Sequence, residues 1–150
     1  MANYIATDTQ LTSIADAIRN KMNIPPLGKN LCNPENLTAI GQGNTTYTVS
    51  MTVKWDGVTG YAGTVTAGTR VAMFADYSVP KTSGAITRET VSITTADVDS
   101  VKIKVYPQDT LEVSDVQIEQ GSSATEYEAY QPTPLEFPNG FVSALTGVGS

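Results

Sequence analysis

Residues 45–55, TTYTVSMTVKW, alternate strictly. Tyr47, Val49, Met51, Val53 and Trp55 share one face, and Thr46, Thr48, Ser50, Thr52 and Lys54 share the other. A period of two with one apolar face predicts a half-buried strand of an antiparallel sheet. Further strands are predicted over 61–66, 69–77, 86–94, 100–106 and 110–119. In the last, Leu111 and Val113 set one phase and Val116 and Ile118 the opposite one. A bulge near Ser114 and Asp115 is therefore expected. Turn signals punctuate the series, at Asp56-Gly57, Gly68, Pro80–Gly84, Ala96–Asp99, Pro107–Asp109 and Gly121–Ser123. Gly41-Gln42-Gly43 reads as one more turn, ahead of the first strand. Short strands at this spacing predict a mainly β fold, an antiparallel β-sandwich of the jelly-roll kind.

The two ends follow another period. In residues 7–22, Leu11, Ile14, Ala15, Ile18 and Met22 make one apolar stripe at helical spacing. Thr7 and Gln10 have the spacing of a capping box, and Pro25-Pro26 stops the segment. Residues 138–146 suit a second short helix. Helix-like pieces thus flank a β-rich middle.

Composition narrows the chemistry. The 150 residues carry a net charge of −6 and contain one cysteine and no histidine. Nine of the fifteen acids lie from residue 97 onward, against Lys102 and Lys104 as the bases there. A phosphate backbone would be repelled, which argues against a nucleic-acid partner. Cys32 has no histidine to activate it and reads as a small buried hydrophobe. No run of apolar residues is long enough to span a membrane, and the N-terminus lacks the pattern of a secretory signal. Histidine-based general bases, triads and zinc sites are excluded by counting. Neither a phosphate-binding P-loop nor a dinucleotide fingerprint is present.

Carboxylates and aromatics remain. Asp76, Asp115, Glu119, Glu126 and Glu128 are the acids available for glycoside hydrolysis, but a protein of this size carries such residues by chance. Paired acids could instead hold a structural calcium; no EF-hand spacing exists, and no cofactor is implied. Trp55, Tyr61, Phe74, Tyr77 and Tyr106 could form a platform for a sugar ring. Alternation favours the core for Trp55 and Phe74. Tyr61, in the turn-like VTGYAG, and Tyr77 are better placed to contact a ligand, so the candidate carbohydrate residues are Tyr61, Tyr77 and Trp55.

Two segments also resemble known proteins. DVQIEQGSSATEYEAYQP, residues 115–132, resembles the closing segment of carbohydrate-binding-like jelly-roll modules of phage tail and fibre proteins. The resemblance rests on Glu119, Gly121, Ser122, Ser123, Ala124, Thr125, Tyr127, Glu128 and Tyr130. GKNLCNPENLTA, residues 28–39, resembles the opening of the same modules, where an Asn-Leu pair precedes the first strand. Residues 6–21 resemble a short helical element of virion proteins of phages of Gram-positive bacteria, normally followed soon by a segment like LEFPNGFVSAL, here 135–145.

The resemblance implies a jelly roll over 28–132, inserted into a split helical docking or oligomerisation module made of 1–27 and 133–150. Leu11, Ile14, Ile18, Met22, Phe141 and Leu145 are its expected docking residues, with Ile14 and Ile18 facing Phe141 and Leu145. The implied function is that of a non-enzymatic virion structural protein (fibre, baseplate or capsid-surface decoration), made in the host bacterial cytoplasm. Its partners would be other virion proteins and further copies of itself, a trimer by analogy. The alternative is a receptor-binding module for host-surface glycans, and a glycan-degrading enzyme stands behind both.

Overall fold

The structure, a computed structural model, describes residues 26–133. Within it Pro26–Gln131 form one compact unit. Seven strands follow in order: β1 Thr38–Gln42, β2 Thr46–Lys54, β3 Tyr61–Ala67, β4 Arg70–Asp76, β5 Ile86–Thr94, β6 Ser100–Pro107 and β7 Glu112–Gln120. They make two antiparallel sheets, a four-stranded one in the order β1-β6-β3-β4 and a three-stranded one in the order β5-β2-β7. No helix occurs among the described residues. The expected helical module, with Leu11, Ile14, Ile18, Met22, Phe141 and Leu145, lies outside them.

The pairings are nested. Strand β3 pairs with β4, β2 with β5, and β1 with β6. This is one long hairpin with its tip at Gly68, rolled so that successive pairs fall in different sheets. Two further pairings, β3 with β6 and β2 with β7, complete the sheets. The inward residues of both form a single core. Val49, Met51 and Val53 of β2 and Ile118 of β7 join Val65 of β3, Phe74 of β4 and Ile103 and Val105 of β6, all at most 1 % exposed. Burying each such side chain contributes about 1.5–3 kcal/mol, which is the main stabilising term of the fold.

The expected bulge is present in β7. Val113 pairs with Val53 and Ile118 with Val49, with the register shifting between these pairs. Asp115, at φ 50°, takes up the extra residue, so Val113 and Ile118 both reach the core. The Asp56 turn is also as expected: its carboxylate accepts from Val58 N (2.8 Å), Thr59 N (2.7 Å) and Thr59 Oγ1 (2.7 Å).

Two expectations are corrected. Gly41 and Gln42 are not a turn but the end of β1. The strand is short, and its inward side chains, Ala39 and Gly41, are too small to mark a period. Gly41 is required there, because a Cβ would lie 2.9 Å from both Ile103 Cδ1 and the Tyr47 ring. Nor is β2 half-buried. Thr48 and Ser50, on its polar face, are wholly buried, because β2 is the central strand of its sheet and its outer face is covered.

Candidate functional site

The cover on the three-stranded sheet is the chain's own C-terminal strap, residues 121–131. Its anchors are Gln117 and Glu119, which the bulge leaves pointing outward beside Ser50 and Thr48. Gln117 Nε2 donates to Glu119 Oε2 (2.7 Å) and, at 3.4 Å, to the carbonyls of Thr125 and Glu126; its Oε1 accepts from Glu128 N (2.8 Å). Glu119 accepts from Thr125 Oγ1 (2.7 Å) and Thr125 N (3.2 Å). Burial alone would raise the Glu119 pKa, but these hydrogen bonds together with the Lys29 charge hold it below the usual value. Arg88 reaches across the sheet to Ser50 Oγ (3.0 Å), Thr52 Oγ1 (3.2 Å) and the Asp115 carbonyl, and lies over the Tyr127 ring.

The strap also closes the body. Asn30 is 1 % exposed. Its Nδ2 donates to the carbonyls of Glu128 (2.8 Å) and Val116 (3.3 Å), and its Oδ1 accepts from Cys32 N (3.0 Å) and Ile118 N (3.2 Å). Lys29 N donates to Glu128 Oε2 (2.9 Å), and Leu27 N to Gln131 O (2.7 Å). The two ends of the compact unit therefore lie side by side. Glu119, Thr125 and Glu128 among these anchors belong to the closing segment 115–132, and Asn30 lies in the opening segment 28–39.

The three sequence-predicted carbohydrate residues are placed differently from one another. Trp55 is 1 % exposed and donates Nε1–H to Thr87 Oγ1 (2.8 Å), so neither face of its ring is open to a sugar. Tyr77 meets it edge-on, with ring centroids 5.8 Å apart. The Tyr77 hydroxyl donates to both oxygens of Glu89 (3.2 and 3.1 Å), and Thr87 Oγ1 donates to Glu89 Oε1 (2.7 Å). Burial, followed by the bond to Glu89 and its charge, pushes the Tyr77 phenol up, so it stays protonated. Lys81 Nζ sits 4.3 Å from the Tyr77 centroid and occupies that ring face. Tyr61 begins β3, opposite Asp76, half-buried and without a ring contact to the other two.

The outer face of the four-stranded sheet is different. Because Val101, Ile103 and Val105 point inward, Lys102, Lys104 and Tyr106 point outward. By the same parity Thr64, Thr66, Val71, Met73 and Ile40 share that face. The register sets Tyr106 beside Thr64 and Thr64 beside Met73; Lys104 lies beside Thr66, and Thr66 beside Val71. Val71 is 63 % exposed, Met73 52 % and Tyr106 50 %. Of the five aromatics considered as a platform, Tyr106 is thus the most exposed, with Lys104 Nζ 5.6 Å from its ring centroid on one face. Met73 was not singled out from sequence, and Lys102 and Lys104 were read there as bases but not as site residues. The signal that could have found them is the outward phase of β6, Lys-x-Lys-x-Tyr, on a strand whose inward phase is plainly core.

Among the described residues no group of three or more His, Cys, Asp or Glu side chains is placed to hold a metal, and no helix is long and apolar enough to cross a membrane. Cys32 is buried, and desolvation, partly opposed by the Lys104 charge, pushes its thiol up to about 12, which leaves it a poor nucleophile. A pocket of about 190 Å³ between the 30–37 segment and β7 has Asn30 and Cys32 in its wall and Tyr127 and Asp115 at its side, so it belongs to the same strap. No protein-family model, curated protein or solved structure matches this chain.

Proposed function

We propose that this chain is a non-enzymatic structural protein of a bacteriophage virion: a fibre, baseplate or capsid-surface component that docks by its ends and displays a jelly-roll sandwich between them. The observation that carries the reading is the meeting of Leu27 and Gln131 through a 2.7 Å backbone hydrogen bond. A body whose ends lie together can be inserted into another module without stretching it. That suits the split module of residues 1–27 and 133–150, whose partners would be other virion proteins and other copies of this chain. The nested pairing supports the jelly roll. The reading as a non-enzyme draws on the missing histidine, the poorly nucleophilic Cys32 thiol and the hydrogen-bonded Glu119 carboxylate.

The test is incorporation into purified phage particles, read by mass spectrometry. A chain lacking residues 1–24 is expected to be missing from particles, and one with residue 25 joined to 134 is expected to be retained. Retention of the first, or loss of both, overturns the reading.

A second reading, recognition of a host-surface glycan, is favoured by one observation. The exposed face of the four-stranded sheet presents a half-exposed tyrosine ring among threonine hydroxyls and lysines, the mixture that a sugar ring needs for stacking and hydrogen bonding. Glycan recognition would be carried by the displayed body and docking by the ends.

A further inference from the structure

We propose that the outer face of the four-stranded sheet binds an anionic polysaccharide, with Tyr106 stacking on a sugar ring and Lys102 and Lys104 holding its acidic groups. The proposal rests on the glycan-recognition reading and gives it a site and a charge.

The first argument is segregation of charge. The chain carries fifteen acids against nine bases. Yet the outward positions of this sheet, at 38, 40, 42, 64, 66, 71, 73, 100, 102, 104 and 106, hold two lysines and no carboxylate, and the exposed Asp76 lies beyond them at the end of β4. A molecule with net charge −6 is repelled by an anionic surface everywhere except where its bases are gathered.

The second argument is geometry. Tyr106 and Lys104 are two residues apart on one strand, about 7 Å along it, and Lys102 lies the same distance beyond. Lys104 is already held in place. Its Nζ donates to the Asn36 carbonyl (2.8 Å) and lies 5.6 Å from the Tyr106 centroid. An ammonium has three donors, so two remain for a ligand, and little side-chain freedom is lost on binding. Thr64 and Thr66 present hydroxyls at neighbouring positions, with Met73 and Val71 next to them as apolar floor.

The third argument concerns the other occupants of such a face. The centre of a protein interface is depleted of lysine, and here Lys104 sits in the middle row between Thr38 and Thr66. Two copies meeting face to face would bring lysines against lysines. A nucleic acid would need more phosphate contacts than two lysines supply, on a protein of opposite sign.

Native gels cast with polysaccharide test this with the full chain. Polygalacturonate, chondroitin sulfate and poly(glycerol phosphate) supply carboxylate, sulfate and phosphodiester; dextran is neutral, and single-stranded DNA is the nucleic-acid arm. At least one anionic polysaccharide is expected to retard the protein more than dextran or DNA does, and added salt should weaken the effect. Lys102→Gln/Lys104→Gln and Tyr106→Leu should each abolish the retardation. Lys54→Gln/Lys81→Gln, which removes the same charge elsewhere, should keep it. The proposal is overturned by no retardation in any of the three polysaccharides, by stronger retardation in DNA, by equal retardation in the face variants, or by a change of sedimentation mass in the lysine pair. Circular dichroism checks that each variant is folded. The gel reads this face alone, and particle incorporation reads the docking, so either can fail without the other.

Discussion

The two outer sheet faces invert the usual relation of polarity to exposure. On the three-stranded sheet the outward residues are polar and hidden: Thr48, Ser50 and Gln117 are wholly buried and Glu119 is 4 % exposed. On the four-stranded sheet apolar side chains, Val71, Met73 and Tyr106, stand half open or more. The hidden polar groups cost no unmet hydrogen bonds, since no buried side-chain nitrogen or oxygen among the described residues lacks a partner. One face is thus part of the interior, sealed by a strap that also ties the two ends of the body together. The other keeps Val71, Met73 and Tyr106 exposed, with no described strand or loop laid over them.

The comparison predicts where the molecule is brittle. The largest effect is expected at Asn30. Asn30→Ala removes four hydrogen bonds in a buried place and leaves partners unpaired, at a cost of about 3 kcal/mol in urea unfolding. Gln117→Ala loosens the strap by itself and should cost about 2 kcal/mol. A loss below about 0.5 kcal/mol at both sites would mean that the strap is only laid against the sheet.

The Glu119 carboxylate gives the same face a pH dependence. Its pKa in the fold is below the ordinary 4.5, so the unfolded chain binds the proton more tightly. Its contribution is fully present above pH 4.5 and is lost as the pH falls through the lowered folded value. Unfolding midpoints measured down this acid range should fall less steeply in Glu119→Gln than in the wild type.

The smallest effect belongs to the open face. Tyr106→Leu and Met73→Ser should each change stability by no more than about 0.5 kcal/mol. A cost at Met73 as large as that at Gln117 would make this face structural too, and the contrast would be gone.

How far the sequence showed this follows from what alternation encodes. Strands β2, β4, β6 and β7 and the β7 bulge were readable because large inward residues mark each phase; β3, with Gly63, Val65 and Ala67 inward, gave a weaker signal. Strand β1 was not, because Ala39 and Gly41 are too small to mark one. Alternation records which residues share a face, not what later covers it. Thr48 and Ser50 therefore looked exposed, and only the fold shows the strap above them. Tyr77, at the end of the predicted 69–77 strand, was taken as free to meet a ligand, whereas Lys81 and Glu89 reach it from the loop and strand that follow. Tyr106 was named among the aromatics but had no stronger claim than the rest until the register gathered Thr64, Met73 and Lys104 around it.

The central claim is that the body formed by Pro26–Gln131 closes on itself through its strap, which ties its two ends together. Urea unfolding of the excised 26–133 segment, followed by Trp55 fluorescence and far-ultraviolet circular dichroism together, tests it most directly. The account predicts one coincident, cooperative transition, lost when Asn30→Ala and Gln117→Ala are combined. A fragment that is unfolded in buffer, or that melts gradually with the two probes apart, would contradict it.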